Sequence, residues 1–312
     1  MESRPYLLHA LSPLHAGTGQ AVNVIDLPIA RARSTGIPFV PGSSVKGVLR
    51  DARERSLDRE THRAVFGPAH GQDGENAADH AGALLVHDAR LLALPVRSFC
   101  GTFAWVSSPL LLHLARRDLQ GVRGVPAEVS VLSSRAAVVG TLEGDDASMN
   151  VRTEGESRRV YLEDLDLPLD VDTGRRAVVL TWANFLAPYV WDAQPSMFSR
   201  RFLVVDDETM TFLWTTATQV DTRVRISSAT RTVEDKALWT EESLPSESLL
   251  LGLFSGDRAR RPGVKLEPRE VLDKALKSEA TLQFGGKATV GRGRCRIVPV
   301  TVRDASEGER AR

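Results

Sequence analysis

The apolar residues of this chain fall in short runs, and this pattern limits the possible folds more than any other feature. The first run, RPYLLHALSP, alternates between two apolar faces as a β-strand does, and glycines soon follow it. Further runs typical of strands are IPFV, LLVHDARLLALPV, RFLVV and SLLLGLFSG. Helical patterns are few, the strands do not alternate regularly with them, and no period of about 20–50 residues repeats. The sequence therefore predicts an α+β fold.

The composition is that of a folded globular protein. Of the 312 residues, 42% are hydrophobic and 26% are charged, which suits one large core or two ordinary ones. No apolar run approaches the roughly 18–20 residues that cross a membrane, and the N-terminus shows no secretory pattern. The two cysteines, Cys100 and Cys295, are too few for a disulfide framework. We therefore expect a cytoplasmic protein that makes no contact with a membrane.

The segment SSVKGVLRDARERS has the clearest helix start in the chain. Ser43 or Ser44 can serve as the N-cap, and apolar residues follow at helical spacing. Lys46, Arg50 and Arg53 form a basic stripe on another face of this helix. A helix N-terminus beside such a stripe suits a phosphate group, although a solvated amphipathic helix explains the pattern equally well.

Two other segments carry helix-start signals. SSPLLLHLARRDL predicts a helix that is capped by Ser107 or Ser108 and has Pro109 at its first position. RFLVVDDETMTFLWTTAT predicts a strand followed by a short helix that starts at Asp206 and Asp207.

The segment TQVDTRVRIS alternates as a strand does. Val220, Val224 and Ile226 lie on one side, and Arg223 and Arg225 lie on the other. We predict that the basic side is exposed. The later segment ALWTEESLP predicts the returning strand of a long hairpin, and SLLLGLFSG then predicts a core strand.

Charge is balanced overall but unevenly distributed. Lysine plus arginine and aspartate plus glutamate each number 40, which argues against a uniformly basic nucleic-acid binder. Residues 31–63 carry eight basic and four acidic residues, and residues 281–303 carry five basic residues and no acid. Residues 143–172 carry ten acids against three arginines. Such a chain can hold a polyanion on one face and keep another face clear of it, although charge runs are more often plain solvated surface.

The C-terminal segment GGKATVGRGR is rich in glycine and in cations. It does not match the phosphate loop of nucleotide-binding proteins, because Arg-Gly follows Gly291, and no helix pattern follows it as in dinucleotide-binding folds. Its glycines and its neighbouring cations suggest either a backbone pressed against a polyanion or a simple hairpin turn. These cations are Lys287, Arg292, Arg294 and Arg296.

Residues 67–83 are small, polar and glycine-rich, which predicts a mobile loop. The histidines around this loop lack the spacing of zinc ligands, so we predict no zinc site there. They are His62, His70, His80 and His87.

The run AVNVIDLPIAR contains a single carboxylate, Asp26, among apolar residues. A buried acid without a partner is unfavourable, and this run offers no local counter-charge. Asp26 either marks a turn before Pro28 or belongs to a projecting loop that presents a carboxylate for use. The residues alone leave both interpretations open.

Five blocks of sequence resemble the RAMP (repeat-associated mysterious protein) superfamily of CRISPR systems. They are LHAGTG, IPFVPGSSVKGVLRD, PVRSFCGTFAWVSSP, ALWTEESLP and LQFGGKATVGRGR. The blocks run from residue 14 to residue 294 in the family's order, so they cover nearly the whole chain. PVRSFCGTFAWV and LWTEE narrow the resemblance to the backbone subunit of the Cmr-type, or type III-B, RNA-targeting effector complex.

The resemblance implies a particular α+β architecture. It predicts one RAMP-type domain over residues 1–312, with a ferredoxin-like palm similar to RNA-recognition motifs. Residues 51–95 would form inserted fingers that contain the mobile loop 67–83, and residues 216–242 would form a β-hairpin thumb. Copies would stack as a filament along CRISPR RNA, beside other Cmr-type effector subunits.

The resemblance also implies an activity. Each thumb would splay one base of the guide–target duplex, and the single-stranded target RNA would be cut at regular intervals. Asp26 matches the aspartate on which the cut depends, together with a divalent metal, Mg²⁺ or Mn²⁺, that Asp26 binds with the target RNA. His15 and Glu241 match assisting positions. The implied RNA-binding residues are Ser43, Ser44, Lys46, Arg50, Gly286, Lys287, Arg292 and Arg294.

Two other functions remain open within the same superfamily. One is a stand-alone endonuclease that processes CRISPR precursor RNA and usually needs no metal. The other is a purely architectural RNA-binding subunit, which the presence of Asp26 in the matching loop disfavours.

Overall fold

The computed structural model of the chain describes residues 1–17, 25–68 and 81–300. Within these residues the backbone forms fifteen strands and seven α-helices. The helices are α1 (Gly42–Arg53), α2 (Arg59–Phe66), α3 (Pro109–Asp118), α4 (Thr173–Val190), α5 (Pro195–Ser199), α6 (Asp207–Thr216) and α7 (Pro268–Leu276).

The strands of the first half are β1 (Glu2–Ala10), β2 (Phe39–Val40), β3 (Leu84–Val86), β4 (Ala89–Arg97), β5 (Phe103–Ser107) and β6 (Ala137–Val139). Those that follow are β7 (Val151–Glu154), β8 (Ser157–Leu162), β9 (Leu165–Pro168), β10 (Phe202–Val205), β11 (Gln219–Ile226), β12 (Val233–Ser243), β13 (Leu249–Gly256), β14 (Ala280–Gln283) and β15 (Arg294–Pro299).

Ten of these strands form one sheet, which organises the described part of the chain. Its main order is β14-β15-β1-β13-β4-β5-β10-β6, with β2 paired to β4 and β3 paired to β13. At its centre β1 lies antiparallel to both β13 and β15, and β13 lies antiparallel to β4. The helices α1 and α7 connect strands of this central group, so the mixed α+β class predicted from the sequence is confirmed.

Core side chains cover both faces of the sheet, as the alternation in β1 predicts. Tyr6 and Leu8 belong to a cluster that includes Leu49 of α1, together with apolar side chains of α7. Leu7 points to the other side, into a cluster that includes Trp182 of α4 and Leu112 of α3. Burial on both faces explains why residues 5–10 of β1 are apolar except for His9.

Two smaller sheets lie beside the main one. β11 and β12 form a two-stranded sheet apart from the main one, with Gln219 opposite Ser243 and Val224 opposite Leu238. β7, β8 and β9 form a three-stranded antiparallel sheet that carries much of the acidic segment 143–172. The predicted long hairpin and the core strand after it therefore occur, as β11–β12 and β13.

The predicted first helix is α1, but its predicted cap is wrong. The N-cap is Pro41, and Ser43 and Ser44 lie inside the first turn. The backbone N–H of Gly42 donates to Asp88 Oδ1 at 2.8 Å, which satisfies the first helical donor without a serine hydroxyl. Gly42 also lies so close to the Val86 carbonyl that a Cβ atom would overlap it, which explains the glycine.

The other helix starts follow the predictions. Ser108 caps α3, with Pro109 at the first position, and its side chain accepts from the Leu111 N–H. Asp206 caps α6, which begins at Asp207 after strand β10. Both caps satisfy backbone donors that would otherwise lack partners.

The segment 51–95 contains the end of α1, helix α2, strand β3 and most of β4. Both of these strands pair within the main sheet. The predicted mobile loop 67–83 lies largely outside the described residues, because 69–80 are not among them. The assignment of 51–95 to fingers and of 216–242 to a thumb remains a prediction.

Among the helices in the described ranges, none combines the length and the apolar character that crossing a membrane would require.

Glycine substitutions in α1 test the packing of this helix on β3. Gly42→Ala should lower the free energy of unfolding by about 1–3 kcal/mol, because its Cβ would collide with the backbone at Val86. Gly47→Ala is the matched control, since no atom lies within 4 Å of the position that its Cβ would take, and it should stabilise by about 0.5–1 kcal/mol. Urea unfolding of the two variants measures both effects, and equal effects would contradict this packing.

Candidate functional site

The segment around Asp26 lies against strand β12. The Leu27 N–H donates to the Thr240 carbonyl at 3.1 Å, and the Glu242 N–H donates to the Leu27 carbonyl at 3.0 Å. These bonds add a short parallel pairing to the edge of the hairpin. Asp26 is therefore held on a strand that lies more than two hundred residues away in sequence, and it does more than mark a turn before Pro28.

The Asp26 carboxylate is exposed and has its partner in Thr240. Its Oδ2 accepts from the Thr240 N–H at 2.7 Å and from the Thr240 hydroxyl at 3.0 Å. The hydroxyl in turn accepts from the Asp26 N–H at 3.1 Å. The backbone and then the hydroxyl hydrogen bond from Thr240 lower the pKa of Asp26 below its ordinary value. Asp26 thus has two neutral hydrogen-bond donors, the Thr240 N–H and hydroxyl, in place of the counter-charge that its run of sequence lacks. The Asp26 carboxylate is ionised at neutral pH.

Glu242 anchors the same segment from the interior. Its side chain is buried, and its two oxygens accept from the Ile29 N–H at 3.1 Å and from the Thr218 hydroxyl at 2.9 Å. Arg31 forms an ion pair with it. A buried carboxylate is tolerated only when its charge is paired and its oxygens are hydrogen-bonded, and here both conditions are met.

His15 lies between the hairpin and the glycine-rich loop. Its Nδ1 is 2.6 Å from the Glu242 carbonyl oxygen, which can only accept, so Nδ1 carries the proton. When the ring is neutral, Nε2 therefore holds the lone pair. The His15 carbonyl accepts from the Gly286 N–H at 2.9 Å, which ties the two segments together.

Glu241 faces the glycine-rich loop and is fully engaged. Its Oε1 accepts from Lys287 Nζ at 2.8 Å and from Trp239 Nε1 at 2.7 Å, and Arg223 Nε lies 3.5 Å from Oε2. Burial alone would raise the pKa of Glu241, but the hydrogen bonds from Lys287 and Trp239 bring it below its ordinary value. The carboxylate is thus charged and occupied by protein cations.

The glycine-rich loop contacts the protein's own backbone. A Cβ atom at Gly285 would overlap the His15 carbonyl, and one at Gly293 would overlap the Phe284 carbonyl. Arg292 is buried and pairs with Asp221 of β11. The hairpin-turn interpretation therefore accounts for these two glycines. Among the candidate RNA-binding residues of the loop, Gly286 and Arg294 are the exposed ones.

The apolar side of β11 is exposed, and on the basic side Arg225 is exposed but Arg223 is not, so the prediction of a basic exposed side is wrong for Arg223. Val220, Val224 and Ile226 are 48%, 45% and 59% exposed. Asp221 and Arg223, on the other side, are half-buried by their ion pairs. The hairpin is not part of the main sheet. The side of β11 that faces inward is therefore the side that meets the cations of the glycine-rich loop, and not an apolar side that packs on a core.

The basic stripe of α1 is bonded to neighbouring backbone. Lys46 Nζ donates to the Leu84 carbonyl at 2.9 Å, Arg50 to the Gly67 carbonyl and Arg53 Nε to the Ala275 carbonyl at 3.0 Å. Burial, followed by the charge of Arg50, lowers the pKa of Lys46. Ser43 and Ser44 are exposed.

An open groove of about 520 Å³ runs beside the first turn of α1. Ser43, Lys46 and Gly67 are among its lining residues. Unlike Arg50 and Arg53, Lys46 thus has part of its surface on an accessible groove next to the helix N-terminus.

A metal ion would find a partial set of ligands here. In the described ranges, no three side chains of His, Cys, Asp or Glu come together as a metal site. Asp26 nonetheless provides an exposed ionised carboxylate, and Mg²⁺ is commonly held by one or two carboxylates together with substrate phosphates and water. The residues therefore fit a metal that Asp26 shares with a phosphate-bearing ligand, and they do not form a site made by protein alone.

The structure brings Asp26, His15 and Glu241 to the base of one hairpin, where Lys287 binds Glu241 and Arg292 binds Asp221. The α1 residues belong to a separate surface beside β3. Sequence reasoning missed Thr240 and Glu242, which hold the Asp26 segment. Both lie in the ALWTEESLP block, but pairings across more than two hundred residues leave no local signal.

Comparison with known proteins identifies the class to which this fold and site belong. The sequence matches the RAMP superfamily over residues 7–296, and the chain belongs to that superfamily. The "CRISPR system Cmr endoribonuclease Cmr4" of Pyrococcus furiosus is 31% identical over 96% of this chain and 95% of its own length. The "CRISPR system CMR subunit Cmr4" of Saccharolobus solfataricus is 25% identical over 93% and 94%. The resemblance to Cmr-type subunits is thereby confirmed.

Solved structures agree with this assignment. The crystal structure of oligomeric Cmr4 from Pyrococcus furiosus, at 25% identity, superposes with a TM-score of 0.71 and covers 97% of this chain and 100% of that one. A subunit in the cryo-EM structure of the Type III-B Cmr-beta bound to cognate target RNA shares the fold at 18% identity, with a TM-score of 0.69 and coverage of 96% and 97%.

The Arg292–Asp221 pair tests how the hairpin is held. Asp221→Ala should lower the free energy of unfolding by about 3–5 kcal/mol, because it leaves the buried Arg292 guanidinium without its counter-charge. Glu234→Ala is the control on the same hairpin, since its pair with Arg225 is exposed and contributes at most about 1 kcal/mol. Denaturant unfolding measures both changes, and equal losses would show that the Arg292 pair does not fasten the hairpin.

Proposed function

We propose that this chain is an endoribonuclease subunit of a type III-B CRISPR effector complex. It binds CRISPR RNA, stacks with further copies of itself and with other Cmr-type subunits, and cuts the paired single-stranded target RNA at regular intervals. The names of the two relatives, one an endoribonuclease and both of them Cmr subunits, support the activity and the complex. The crystal structure of a relative described as oligomeric supports the stacking of copies.

We assign the central strands to the ferredoxin-like palm. The chain order β1–α1–β4–β13–α7–β15 and the spatial order β15-β1-β13-β4 support this assignment, because they give the β-α-β-β-α-β arrangement. The hairpin β11–β12 is the proposed thumb. Its separation from the main sheet and its exposed apolar side suit an element that reaches beyond its own subunit.

The observation that carries the proposed activity is the geometry of Asp26. An ionised, exposed carboxylate is fixed at the base of the hairpin that would splay the target base. The loop position matches the catalytic aspartate that the family resemblance implies.

In the proposed reaction the ribose 2′-OH of the target attacks the adjacent phosphorus, and the bond from phosphorus to the 5′ oxygen breaks. The products are a 2′,3′-cyclic phosphate and a 5′-hydroxyl. In an A-form helix the 2′-OH is not in line with this bond, so splaying one base supplies the required geometry. Holding the reacting atoms in line supplies a large part of the rate enhancement.

Asp26 accepts the hydrogen bond of the attacking 2′-OH and takes its proton as the bond to phosphorus forms. Its lowered pKa makes it a weak base, so the positioning of the hydroxyl and the negative charge contribute more than proton affinity does. His15 Nε2, when protonated, can donate to the departing 5′ oxygen, since Nδ1 is already committed to the Glu242 carbonyl.

A divalent metal, Mg²⁺ or Mn²⁺, held by Asp26 and RNA oxygens would neutralise the charge that develops on the phosphate. Glu241 takes no direct part in this proposal. Its engagement with Lys287 and Trp239 supports a role in fixing the hairpin.

The proposed RNA contacts divide into two groups. Ser43, Ser44, Gly286 and Arg294 are exposed and can meet the phosphate backbone directly. The others are bonded to the protein and would contact RNA only by exchanging or sharing those bonds. They are Lys46, Arg50, Lys287 and Arg292.

The cleavage proposal is tested with Asp26→Asn. Assemblies reconstituted with CRISPR RNA should form normally, while cutting of target RNA falls by about 100-fold or more, because the negative charge and the proton acceptor are lost together. Asp164→Asn, an exposed acid in the acidic segment, is the control and should cut like the unsubstituted chain.

The measurements in this test are the size of the assembly, the spacing of the cuts and the chemical groups at the new ends of the cut RNA. Unchanged cutting by Asp26→Asn would refute the catalytic assignment. Processing of precursor RNA by the lone chain in EDTA, without evenly spaced target cuts, would favour the stand-alone endonuclease instead.

The RNA interface is tested with Arg294→Ala. Loss of one phosphate contact should weaken binding of CRISPR RNA and reduce the slope of log affinity against log salt by roughly one. Arg123→Ala, an exposed arginine in the connection after α3, is the control. A salt series of binding measurements decides the question, and identical slopes for Arg294→Ala and the unsubstituted chain would remove Arg294 from the interface.

A further inference from the structure

Thr240 contacts Asp26 through both its backbone and its side chain. Its N–H donates to Asp26 Oδ2 at 2.7 Å, and its hydroxyl donates to the same oxygen at 3.0 Å. The hydroxyl oxygen also accepts the Asp26 N–H at 3.1 Å. A single hydroxyl therefore fixes both the main chain and the carboxylate of Asp26. Serine and threonine alone among small side chains can donate and accept in this way.

The position of Thr240 is itself determined by the hairpin. It lies opposite Thr222 in the β11–β12 register and next to Glu241 and Glu242. Glu241 is held by Lys287, and Glu242 is held by Arg31. These ion pairs fix the part of β12 that carries Thr240. The Thr240 hydroxyl therefore has a fixed position, and through its hydrogen bond it fixes the position of the Asp26 carboxylate.

We propose that Thr240 is the positioning residue of the cleavage site, and that its hydroxyl orients the Asp26 carboxylate toward the target RNA. The proposal rests on the proposed function, since it assigns Thr240 a task in that reaction. Thr240 acts through Asp26 and is not itself assigned a contact with RNA. Thr240 belongs to the same hairpin that would splay the target base. The β11–β12 hairpin would therefore both splay the base and orient the Asp26 carboxylate.

The acids of the hairpin around Thr240 have cations as partners: Lys287 pairs with Glu241, Arg31 with Glu242 and Arg292 with Asp221. A loss of cutting that occurs in a Thr240 variant and not in a variant of the opposite residue therefore reports on the contact between Thr240 and Asp26.

The test compares Thr240→Val, Thr240→Ser and Thr222→Val in reconstituted assemblies with CRISPR RNA and target RNA. Valine has nearly the same shape as threonine but no hydroxyl, and serine keeps the hydroxyl. Thr222 is exposed and lies opposite Thr240, so Thr222→Val is the matched control. At saturating target, Thr240→Val should cut roughly 10–100-fold more slowly, the effect of losing a hydrogen bond to a charged group.

Thr240→Val should also bind target RNA normally, while Thr240→Ser and Thr222→Val cut at the original rate. Unchanged cutting by Thr240→Val would overturn the proposal. An equal loss in Thr222→Val or in Thr240→Ser would overturn it as well, because the hydroxyl would then not be the determining group.

Wild-type cutting by Asp26→Asn would refute the proposed function. Unchanged cutting by Thr240→Val, with Asp26→Asn inactive, would overturn only the positioning role, so the two failures are distinguishable.

Discussion

The site depends on the pairing of buried acids at the base of the β11–β12 hairpin with cations from two other segments. Glu242 joins the hairpin to Arg31 and to the N–H of Ile29, and Glu241 joins it to Lys287 of the glycine-rich loop. A hairpin that pairs with no strand of the main sheet has few other restraints. These ion pairs act together with the backbone hydrogen bonds of Leu27 and Gly286 to fix the Asp26 segment and the glycine-rich loop.

Much of the fold is readable from the sequence because strand and helix periodicities are local. The alternation in β1 predicts burial on both faces, and Ser108 and Asp206 occupy the caps that their patterns indicate. The predicted serine cap of α1 is wrong because the Gly42 N–H donates to Asp88, which lies 46 residues away. The predicted exposure of Arg223 on β11 is wrong for a related reason, since an ion pair with Glu241 holds this side chain inward.

The site is readable only in part. Asp26 stands out as an unpaired acid in an apolar run, and the family resemblance gives it a role, but its partner Thr240 lies 214 residues away. The basic residues illustrate the opposite difficulty. Lys46, Arg50 and Arg292 have the composition of a phosphate-binding surface, yet each binds a group of the protein itself. Charge in a sequence does not show which partner the charge has.

The central claim is that the carboxylate held on β12 meets the scissile phosphate of target RNA. A structure of the assembly with CRISPR RNA and a target carrying 2′-deoxyribose at the cut positions tests it most directly, because the attacking hydroxyl is absent and the complex persists. The account predicts Asp26 within about 3 Å of the 2′ position or the phosphate, or one water or metal ion away. An Asp26 carboxylate still bound to Thr240 but facing away from every cut position would contradict it.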